Sequence, residues 1–311
     1  MEFSKAITSS APAAEAATAV AAAPARRGAQ PLWPSCERQL ELASARTCYV
    51  EAGRGFPMIL VHGLLGYSFS WRKNIAALAK QHRVLALDLA GCGHSGPLKT
   101  GEYGVDTWSR QLEEFLNAME ISKAHLVATS AGGAVALDFA ARCGERVERM
   151  ALAAPVTPFS RRAVFLARLY TATGMPGPVM RALFESFPRL LPWLFRHRYY
   201  SDPARITPET VPGYLEGLRA EIGIPMLRQA ISGWEPARLA PQLGSVKAPV
   251  LLLWGESDKI IPPSCISGLS KSLPNATVMM IPGAGHFCYE EMPGAFNDAL
   301  LRFLRGPSEL R

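Results

Sequence analysis

Ser130 is the first residue of this sequence whose surroundings suggest chemistry. It lies in the stretch HLVATSAGGAVAL (125–137), where a short apolar run breaks at Thr-Ser and continues as a helix of small residues. A serine hydroxyl is a weak nucleophile until a base removes its proton, and a sharp strand-to-helix turn lifts it towards such a base. The turn requires small residues two positions before and after the serine, here Ala128 and Gly132. On this stretch alone, a small-residue turn that feeds a closely packed helix remains an equal alternative.

His286 and Asp258 are the candidates for the partners that a serine nucleophile needs. A histidine must accept the proton, and a carboxylate must hold the imidazole in the right tautomer. His286 lies in the glycine-rich segment GAGHF, after the last predicted strand, and Asp258 lies in GESDKIIP, after the strand before it. Glu256 is the rival acid, and Asp258 is the predicted one. Structural roles are predicted for the other histidines, which are His62, His82, His94, His125 and His197.

Two backbone amides are candidates to stabilise a developing oxyanion. The segment HGLLG (62–66) forms a tight turn that can point the N–H of Leu64 inward, and Ala131 supplies an N–H at the start of the helix after Ser130. Deleting one such donor typically costs about 3–4 kcal/mol of transition-state stabilisation. His62 is then expected to brace the turn without touching substrate.

These groups all follow predicted strands, which is where open parallel sheets carry their sites. Apolar runs predict strands, 3.6-residue periodicity predicts helices, and the first two strands are expected to form a hairpin around Gly53–Gly55. The alternation predicts an α/β fold with a mostly parallel central sheet covered by helices on both faces. The predicted strands are 46–51, 57–61, 83–89, 125–129, 149–155, 249–254 and 277–282, and the predicted helices are 69–80, 105–119, 131–142 and 289–304.

The chain divides into three predicted regions. Residues 1–35 are rich in alanine, lack periodicity and are expected to be a disordered tail. Residues 158–234 interrupt the strand–helix alternation and are expected to form a helical cap, inserted between two parts of the core at 36–157 and 235–311. The tail offers small residues for signal cleavage, but Pro12 and Glu15 interrupt its apolar stretch, so secretion or organelle import is the alternative to the cytoplasmic location that we expect.

Composition narrows the class of protein. Of the 311 residues, 49% are hydrophobic and 19% are charged, as in ordinary globular proteins. The net charge of +7 is concentrated between Arg161 and Arg198, where seven arginines accompany one glutamate among apolar residues. A solvated helix face explains this stretch, weak contact with an anionic lipid surface is the alternative, and no nucleic-acid partner is expected.

The six cysteines show no paired spacing, which favours mostly buried thiols in a reducing compartment. No run of 18 uncharged apolar residues occurs, so no transmembrane helix is predicted.

The segment DLAGCGHSG raises a competing hypothesis. Gly91, Gly93 and Gly96 have the G-x-G-x-x-G spacing of dinucleotide-binding proteins directly after a strand. That motif needs a helix that begins at the glycines, but Pro97 follows and helical periodicity resumes only near Val105. The sequence therefore disfavours an oxidoreductase and predicts no cofactor. No cluster of histidine, cysteine and carboxylate has metal-ligand spacing, so no metal is predicted either.

Five motifs together resemble those of the α/β-hydrolase superfamily. HGLLG, DLAGCGHSG, ATSAGG, GESDKIIP and GAGH occur in that order across residues 46–304. The resemblance implies that Ser130 is the nucleophile, Asp258 the acid and His286 the base, with the amides of Leu64 and Ala131 as the oxyanion hole. It also implies that 158–234 covers the substrate pocket.

The resemblance favours a serine esterase or lipase-like enzyme. Haloalkane dehalogenases and epoxide hydrolases of the superfamily have aspartate in place of Ser130. Carbon–carbon bond hydrolases usually have asparagine before the nucleophile, where this chain has Thr129. The expected substrate is a small, largely apolar carboxylic ester, and no obligate protein partner is implied. A carbon–carbon bond hydrolase, or a ligand receptor or accessory protein with little turnover, remains an alternative.

Overall fold

A sheet of eight strands runs through the part of the chain that the computed structural model describes, residues 38–160, 190–218 and 222–306. The predicted tail at 1–35 and most of the arginine-rich stretch lie outside these ranges. The strands are β1 (Arg38–Glu41), β2 (Arg46–Ala52), β3 (Pro57–Val61), β4 (Arg83–Leu87), β5 (Ala124–Thr129), β6 (Val147–Ala153), β7 (Val250–Gly255) and β8 (Ala276–Ile281).

The helices alternate with the strands as the periodicity predicted, although several segments differ in detail. The α-helices are α1 (Ile75–Leu78), α2 (Val105–Ala118), α3 (Ser130–Arg142), α4 (Thr210–Gly217), α5 (Gly223–Ser232), α6 (Ile266–Ser272), α7 (Cys288–Glu291) and α8 (Pro293–Arg305). Short 3-10 helices occupy Ser68–Trp71, Gly144–Arg146, Pro203–Arg205, Pro236–Ser245 and Pro263–Cys265, and a π-helix occupies Phe195–Tyr199.

The strand order confirms the mostly parallel sheet. It is β1-β2-β4-β3-β5-β6-β7-β8, and every neighbouring pair from β4 to β8 in this order is parallel. Only the pairs β1–β2 and β2–β4, at one edge, are antiparallel among the described strands. The carboxyl ends of β3, β5, β6, β7 and β8 therefore meet at one edge of the sheet.

The prediction of a hairpin between the strands at 46–51 and 57–61 is wrong. The two strands, β2 and β3, do not pair, because β4 lies between them and pairs with both. Four of the five residues of β3, Met58 to Val61, are buried, as expected of a strand with parallel neighbours on both sides. β2 has half-buried residues at both ends and lies near the edge instead. Strand β1 was not predicted.

Two predicted helices are each split into shorter pieces. The segment predicted as one helix at 69–80 forms the 3-10 helix Ser68–Trp71 and the short α1. The last predicted helix, 289–304, is divided at Met292, which adopts φ −128° and ψ 60°. Pro293 follows as the first residue of α8, and the residue before a proline is disfavoured in the helical conformation.

Two hydrophobic clusters lie on the two faces of the sheet. One packs α2 and α3 against it through buried side chains such as Trp108, Phe115 and Phe139. The other packs the 3-10 helix Ser68–Trp71, α1 and α8 on the opposite face, with Trp71 and Phe296 among its fully buried side chains. The helix covering on both faces is thus confirmed. None of the described helices is long and apolar enough to cross a membrane.

The described cysteines agree with the prediction of mostly buried thiols. Cys92, Cys143, Cys265 and Cys288 are buried free thiols. Cys48 is disulfide-bonded, which the scattered spacing did not indicate.

Candidate active site

Ser130 lies in a strained turn between β5 and α3. Its φ is +50°, in the left-handed region that non-glycine residues rarely adopt, and it is the first residue of α3. Gly132 permits this turn, because a Cβ there would stand 2.3 Å from the carbonyl oxygen of His62 and 2.7 Å from that of Val61. Ala128, two residues before the serine, is fully buried and its methyl group is accommodated. The small residue that the sequence suggested at position 132 is therefore required by contact with the end of β3.

Ser130, His286 and Asp258 form a continuous chain of contacts. His286 Nε2 lies 3.1 Å from Ser130 Oγ, and His286 Nδ1 lies 2.8 Å from Asp258 Oδ2. The other carboxylate oxygen, Oδ1, accepts hydrogen bonds from the amides of Ile260 and Ile261 at 2.8 and 2.9 Å. Because a carboxylate accepts hydrogen bonds, Nδ1 carries the imidazole proton and Nε2 is left to accept the proton of Ser130.

The loop that carries His286 is held by residues that sequence reasoning missed. The amide of Gly285 donates to Glu291 Oε2 at 2.6 Å, and the amide of His286 donates to the carbonyl oxygen of Tyr199 at 2.7 Å. The buried Glu291 carboxylate also accepts from the amides of Ser201 and Asp202. A glutamate three residues into a helical pattern carries no signal that it will bind a distant loop.

The turn after β3 lies against the serine and is braced as expected. The amide of Gly66 donates to the carbonyl oxygen of Gly63 at 2.9 Å, and a Cβ at Gly63 would stand 3.0 Å from Ser130 Cβ. His62 accepts a hydrogen bond at Nε2 from the amide of Leu89 (3.0 Å) and donates from Nδ1 to Gly63 (2.7 Å). Burial lowers the pKa of His62 to about 4, so its ring is neutral near pH 7 and this pair of contacts is stable.

Leu64 and Ala131, the expected oxyanion donors, both line the cavity that contains Ser130. Ala131 lies in the first turn of α3, where the helix itself supplies no acceptor for its amide. The roles of both amides remain a prediction.

The remaining histidines lie away from the Ser130 hydroxyl. His125 is packed between the rings of Phe56 and His82, at centroid distances of 4.8 and 5.7 Å. The His197 ring lies 5.1 Å from that of Trp193. These positions agree with the structural roles that the sequence favoured.

The glycines of DLAGCGHSG form a loop and do not start a helix. The amide of Gly91 donates to the carbonyl oxygen of Gly96 at 2.9 Å, and α2 begins only at Val105. The buried Asp88 accepts from the amides of Ser68 (2.7 Å) and His94 (2.9 Å). The loop therefore serves to join neighbouring segments, and the helix N-terminus that a pyrophosphate would need is not at these glycines.

A cavity of about 430 Å³ opens over Ser130 and His286. Its lining comes from both the sheet end and the region predicted as a cap, and it is mostly aliphatic and aromatic. Phe287 stacks on Tyr214 and on Tyr199, with ring centroids 5.5 and 4.7 Å apart. The described lining residues are Gly63, Leu64, Leu65, Gly66, Ser70, Ser130, Ala131, Val156, Leu190, Leu194, Tyr199, Tyr214, Leu227, Ile231, Trp234, Ile260, Ile261, His286, Phe287 and Tyr289.

A buried ion pair supports one wall of this cavity. Arg72 and Glu290 are paired with side-chain exposures of 7% and 0%, and the Tyr214 hydroxyl donates to Glu290 Oε2 at 2.8 Å. Arg72 also donates to Thr210 Oγ1 at 2.9 Å, so the pair connects the core to α4. No sequence signal identified it, because the two charges are far apart in the chain.

A family model described as the alpha/beta hydrolase fold matches residues 57–293. The chain belongs to this family. The match spans β3 to the start of α8 and so includes the segments that carry Ser130, Asp258 and His286. The family and fold that the five motifs suggested are thus confirmed.

Proteins similar to this α/β hydrolase are named for different enzymatic activities. The dihydrolipoyllysine-residue acetyltransferase component of the acetoin cleaving system from Pseudomonas putida is 33% identical over 255 residues, which are 81% of this chain. The chain spans 64% of the length of that relative. A 2-hydroxymuconate semialdehyde hydrolase from Pseudomonas sp. (strain CF600) is 27% identical over 288 residues, covering 87% of this chain and 94% of the relative. The solved structure of the epoxide hydrolase CorEH matches with a TM-score of 0.75 over 88% of this chain and 98% of its own, at 23% identity, which shows the fold alone.

Proposed function

We propose that this α/β hydrolase is a serine hydrolase that cleaves the carboxylic ester of a small, largely apolar substrate through an acyl-enzyme. The observation that carries the proposal is the contact chain from Ser130 Oγ through His286 to Asp258, with separations of 3.1 and 2.8 Å. A hydroxyl, an imidazole and a carboxylate in this order constitute an activated nucleophile.

The geometry supports the following sequence of steps. Ser130 Oγ attacks the ester carbonyl carbon as its proton passes to His286 Nε2, and the amides of Leu64 and Ala131 stabilise the oxyanion. His286 then donates this proton to the leaving alcohol, and the carbon–oxygen bond breaks to give the acyl-enzyme. Water attacks the acyl carbon, gives its proton to His286, and the acid leaves as Ser130 recovers the proton. Asp258 stabilises the imidazolium that forms twice in this cycle.

The lining of the cavity supports a neutral substrate. Among the described residues that line it, no side chain is Asp, Glu, Lys or Arg. Transfer of an unpaired carboxylate into such a cavity is unfavourable, because the anion loses its hydration without gaining a partner. The described arginines of the basic stretch, Arg196 and Arg198, are exposed and lie outside the lining. These two arginines therefore supply no counter-charge for an anionic substrate in the cavity.

Carbon–carbon bond hydrolysis is the second candidate. It is favoured by the relative named 2-hydroxymuconate semialdehyde hydrolase, which matches over 94% of its own length. Against it, the residue before the nucleophile is Thr129, whose hydroxyl donates to the carbonyl oxygen of Ala153 at 3.3 Å and is fully buried. This side chain is directed to β6 and does not line the cavity.

The test is hydrolysis of p-nitrophenyl esters of increasing acyl length by the wild type and by Ser130→Ala. We expect turnover by the wild type and its loss, by at least about 10³-fold, in the variant. Equal rates for the two proteins would overturn the proposal. A fluorophosphonate should form one covalent adduct, located at Ser130 by mass spectrometry of peptides. Turnover of a 2-hydroxy-6-oxodienoate without turnover of any ester would instead establish the second candidate, and a tightly retained ligand without turnover would indicate a receptor.

A further inference from the structure

Ser70 is a polar residue of the cavity that the proposed reaction does not use. It lines the same cavity as Ser130 and is 1% exposed. Its amide donates to the carbonyl oxygen of Tyr67 at 2.8 Å, within the 3-10 helix Ser68–Trp71. Its hydroxyl, in contrast, has no hydrogen-bond partner among the described residues.

Two other hydroxyl groups of the lining have partners. Tyr214 donates to Glu290, and Ser130 contacts His286. A buried hydroxyl without a partner destabilises the folded protein relative to an apolar group of similar shape. The Ser70 hydroxyl therefore adds no stabilising contact to the described chain, and its hydrogen-bonding capacity is unused although the residue lines the cavity.

One tight turn connects Ser70 to the site of the reaction. The hydrogen bond from the Gly66 amide to the Gly63 carbonyl closes this turn at 2.9 Å. Gly63 lies against Ser130, and Gly66 lies against Ser70, where a Cβ would stand 2.5 Å from Ser70 Oγ. Leu64, the proposed oxyanion donor, lies between the two glycines. A substrate whose carbonyl oxygen is held at Leu64 therefore has Ser70 beside the same turn.

We infer that Ser70 is a substrate-binding residue whose hydroxyl forms a hydrogen bond with a second, uncharged oxygen of the substrate. This inference rests on the proposed ester hydrolysis and deepens it. A neutral hydroxyl both donates and accepts, so it matches a ketone, ether, hydroxyl or second ester group. The substrate class is thus an oxygenated ester, with an oxo, hydroxy or alkoxy group near the scissile carbonyl, and not a plain fatty ester.

The experiment compares three pairs of p-nitrophenyl esters in the wild type and in Ser70→Ala. The pairs are butanoate with methoxyacetate, pentanoate with 4-oxopentanoate, and hexanoate with 5-oxohexanoate. The preference for the oxygenated member is the ratio of the two kcat/KM values, and comparing this ratio between the two proteins cancels the intrinsic reactivity of the esters. We expect the preference to fall about 3- to 10-fold in Ser70→Ala for at least one pair, with kcat/KM for the plain esters changed less than about twofold.

The control variant is Ser160→Ala. Ser160 is also buried, but its hydroxyl accepts from the amide of Thr157 at 3.2 Å and it lies outside the lining. In each of the three pairs, the preference of Ser160→Ala for the oxygenated ester should equal that of the wild type. Unchanged preference in Ser70→Ala for all three pairs would overturn the inference.

A stability measurement separates binding from a structural role. Because the hydroxyl has no partner in the described chain, the urea midpoint of Ser70→Ala should equal or exceed that of the wild type. A lower midpoint would show that the hydroxyl supports the fold, and would overturn the inference.

The inference can also be tested if ester hydrolysis itself is not observed. Should the wild type hydrolyse none of the six esters, the proposed function fails, whereas binding at Ser70 is still measurable by calorimetry. Ser130→Ala and the double variant Ser130→Ala/Ser70→Ala would then be titrated with the 4-oxopentanoate and pentanoate esters. Weaker binding of the oxo ester alone in the double variant supports the role of Ser70, and equal binding in both variants refutes it.

Discussion

The α-carbon of Gly132 lies directly against the carbonyl oxygen of His62. A Cβ at residue 132 would stand 2.3 Å from that oxygen, far inside van der Waals contact. This contact joins the start of α3 to the turn after β3, and so joins the candidate nucleophile to the candidate oxyanion donor Leu64. The backbone at this point therefore sets the distance between the two groups that must act on the same substrate carbonyl.

Gly132→Ala should displace α3 from the end of β3. Both atoms that the new methyl group would meet are backbone carbonyl oxygens, so relief requires movement of the main chain. We expect a loss of about 1–3 kcal/mol in the free energy of unfolding, and esterase turnover slower than that of the wild type by about 100-fold or more. Urea denaturation and initial rates measure the two effects. Gly144→Ala is the control, because no atom lies within 4 Å of a Cβ there, and wild-type activity of Gly132→Ala would contradict the contact.

Asp258→Asn should preserve the fold and abolish most activity. The asparagine oxygen can still accept from the amides of Ile260 and Ile261, but its NH2 group would face His286 Nδ1 and favour the opposite tautomer. In serine proteases with the same triad the equivalent change slows turnover about 10⁴-fold, and we expect a loss of similar order here. Single-turnover kinetics would show slow acylation, with a circular dichroism spectrum like that of the wild type. Acylation at the wild-type rate would exclude Asp258 from this role.

Acid should weaken the fold through His125 and His62. Burial lowers the pKa of each histidine to about 4, against 6.5 for a histidine exposed to solvent. For His125 the neighbouring charge of His82 also contributes. As the pH falls from 6.5 to 4, the unfolded chain takes up these protons before the folded chain does. Stability is therefore full above pH 6.5 and lost towards pH 4, by up to about 3 kcal/mol for each histidine.

His125→Phe tests the share of His125. The ring lies beside Phe56, and its Nδ1 atom has no partner among the described residues, so phenylalanine can take its place. We expect the free energy of unfolding of the variant to decline less than that of the wild type as the solution is acidified from neutral pH towards the pKa of about 4, because one titrating group is removed. Urea titrations across this range measure the decline. Parallel pH dependences for the two proteins would show that His125 is not responsible.

Glu290→Gln should destabilise the protein strongly. It leaves the buried Arg72 guanidinium without its counter-charge, a change that typically costs about 3–5 kcal/mol. It also alters the partner of the Tyr214 hydroxyl at the cavity wall, so KM for esters should rise. The matched control is Glu235→Gln, which breaks the Arg238–Glu235 pair on the surface and should change stability by less than about 1 kcal/mol. Equal midpoints for the two variants in urea would refute a stabilising role for the buried pair.

Much of the core and the candidate site could be predicted because their signals are local. An apolar run followed by Ser130, Asp258 or His286 places each residue at a strand end, and parallel strands bring their carboxyl ends together. The helices α2 and α3 were predicted within a residue or two, because the buried face of α2 repeats with the helical period and α3 follows the strand-to-helix turn at Ser130. The boundaries of the cap at 158–234 and the disordered tail remain predictions from composition and pattern.

The sequence by itself thus determined most of the strands and helices, and it identified Ser130, Asp258 and His286 at the ends of strands. It could do so because periodicity and turn chemistry act over a few positions. Only the tertiary structure decided which strands are neighbours and how buried polar groups are satisfied. β4 separates β2 from β3, and Arg72 meets Glu290 across 218 residues of sequence. Such contacts depend on how distant surfaces pack against one another, and no local pattern encodes that. The Ser70 hydroxyl, which has no partner among the described residues, became visible for the same reason, since a missing partner is defined only by the positions of the residues around it.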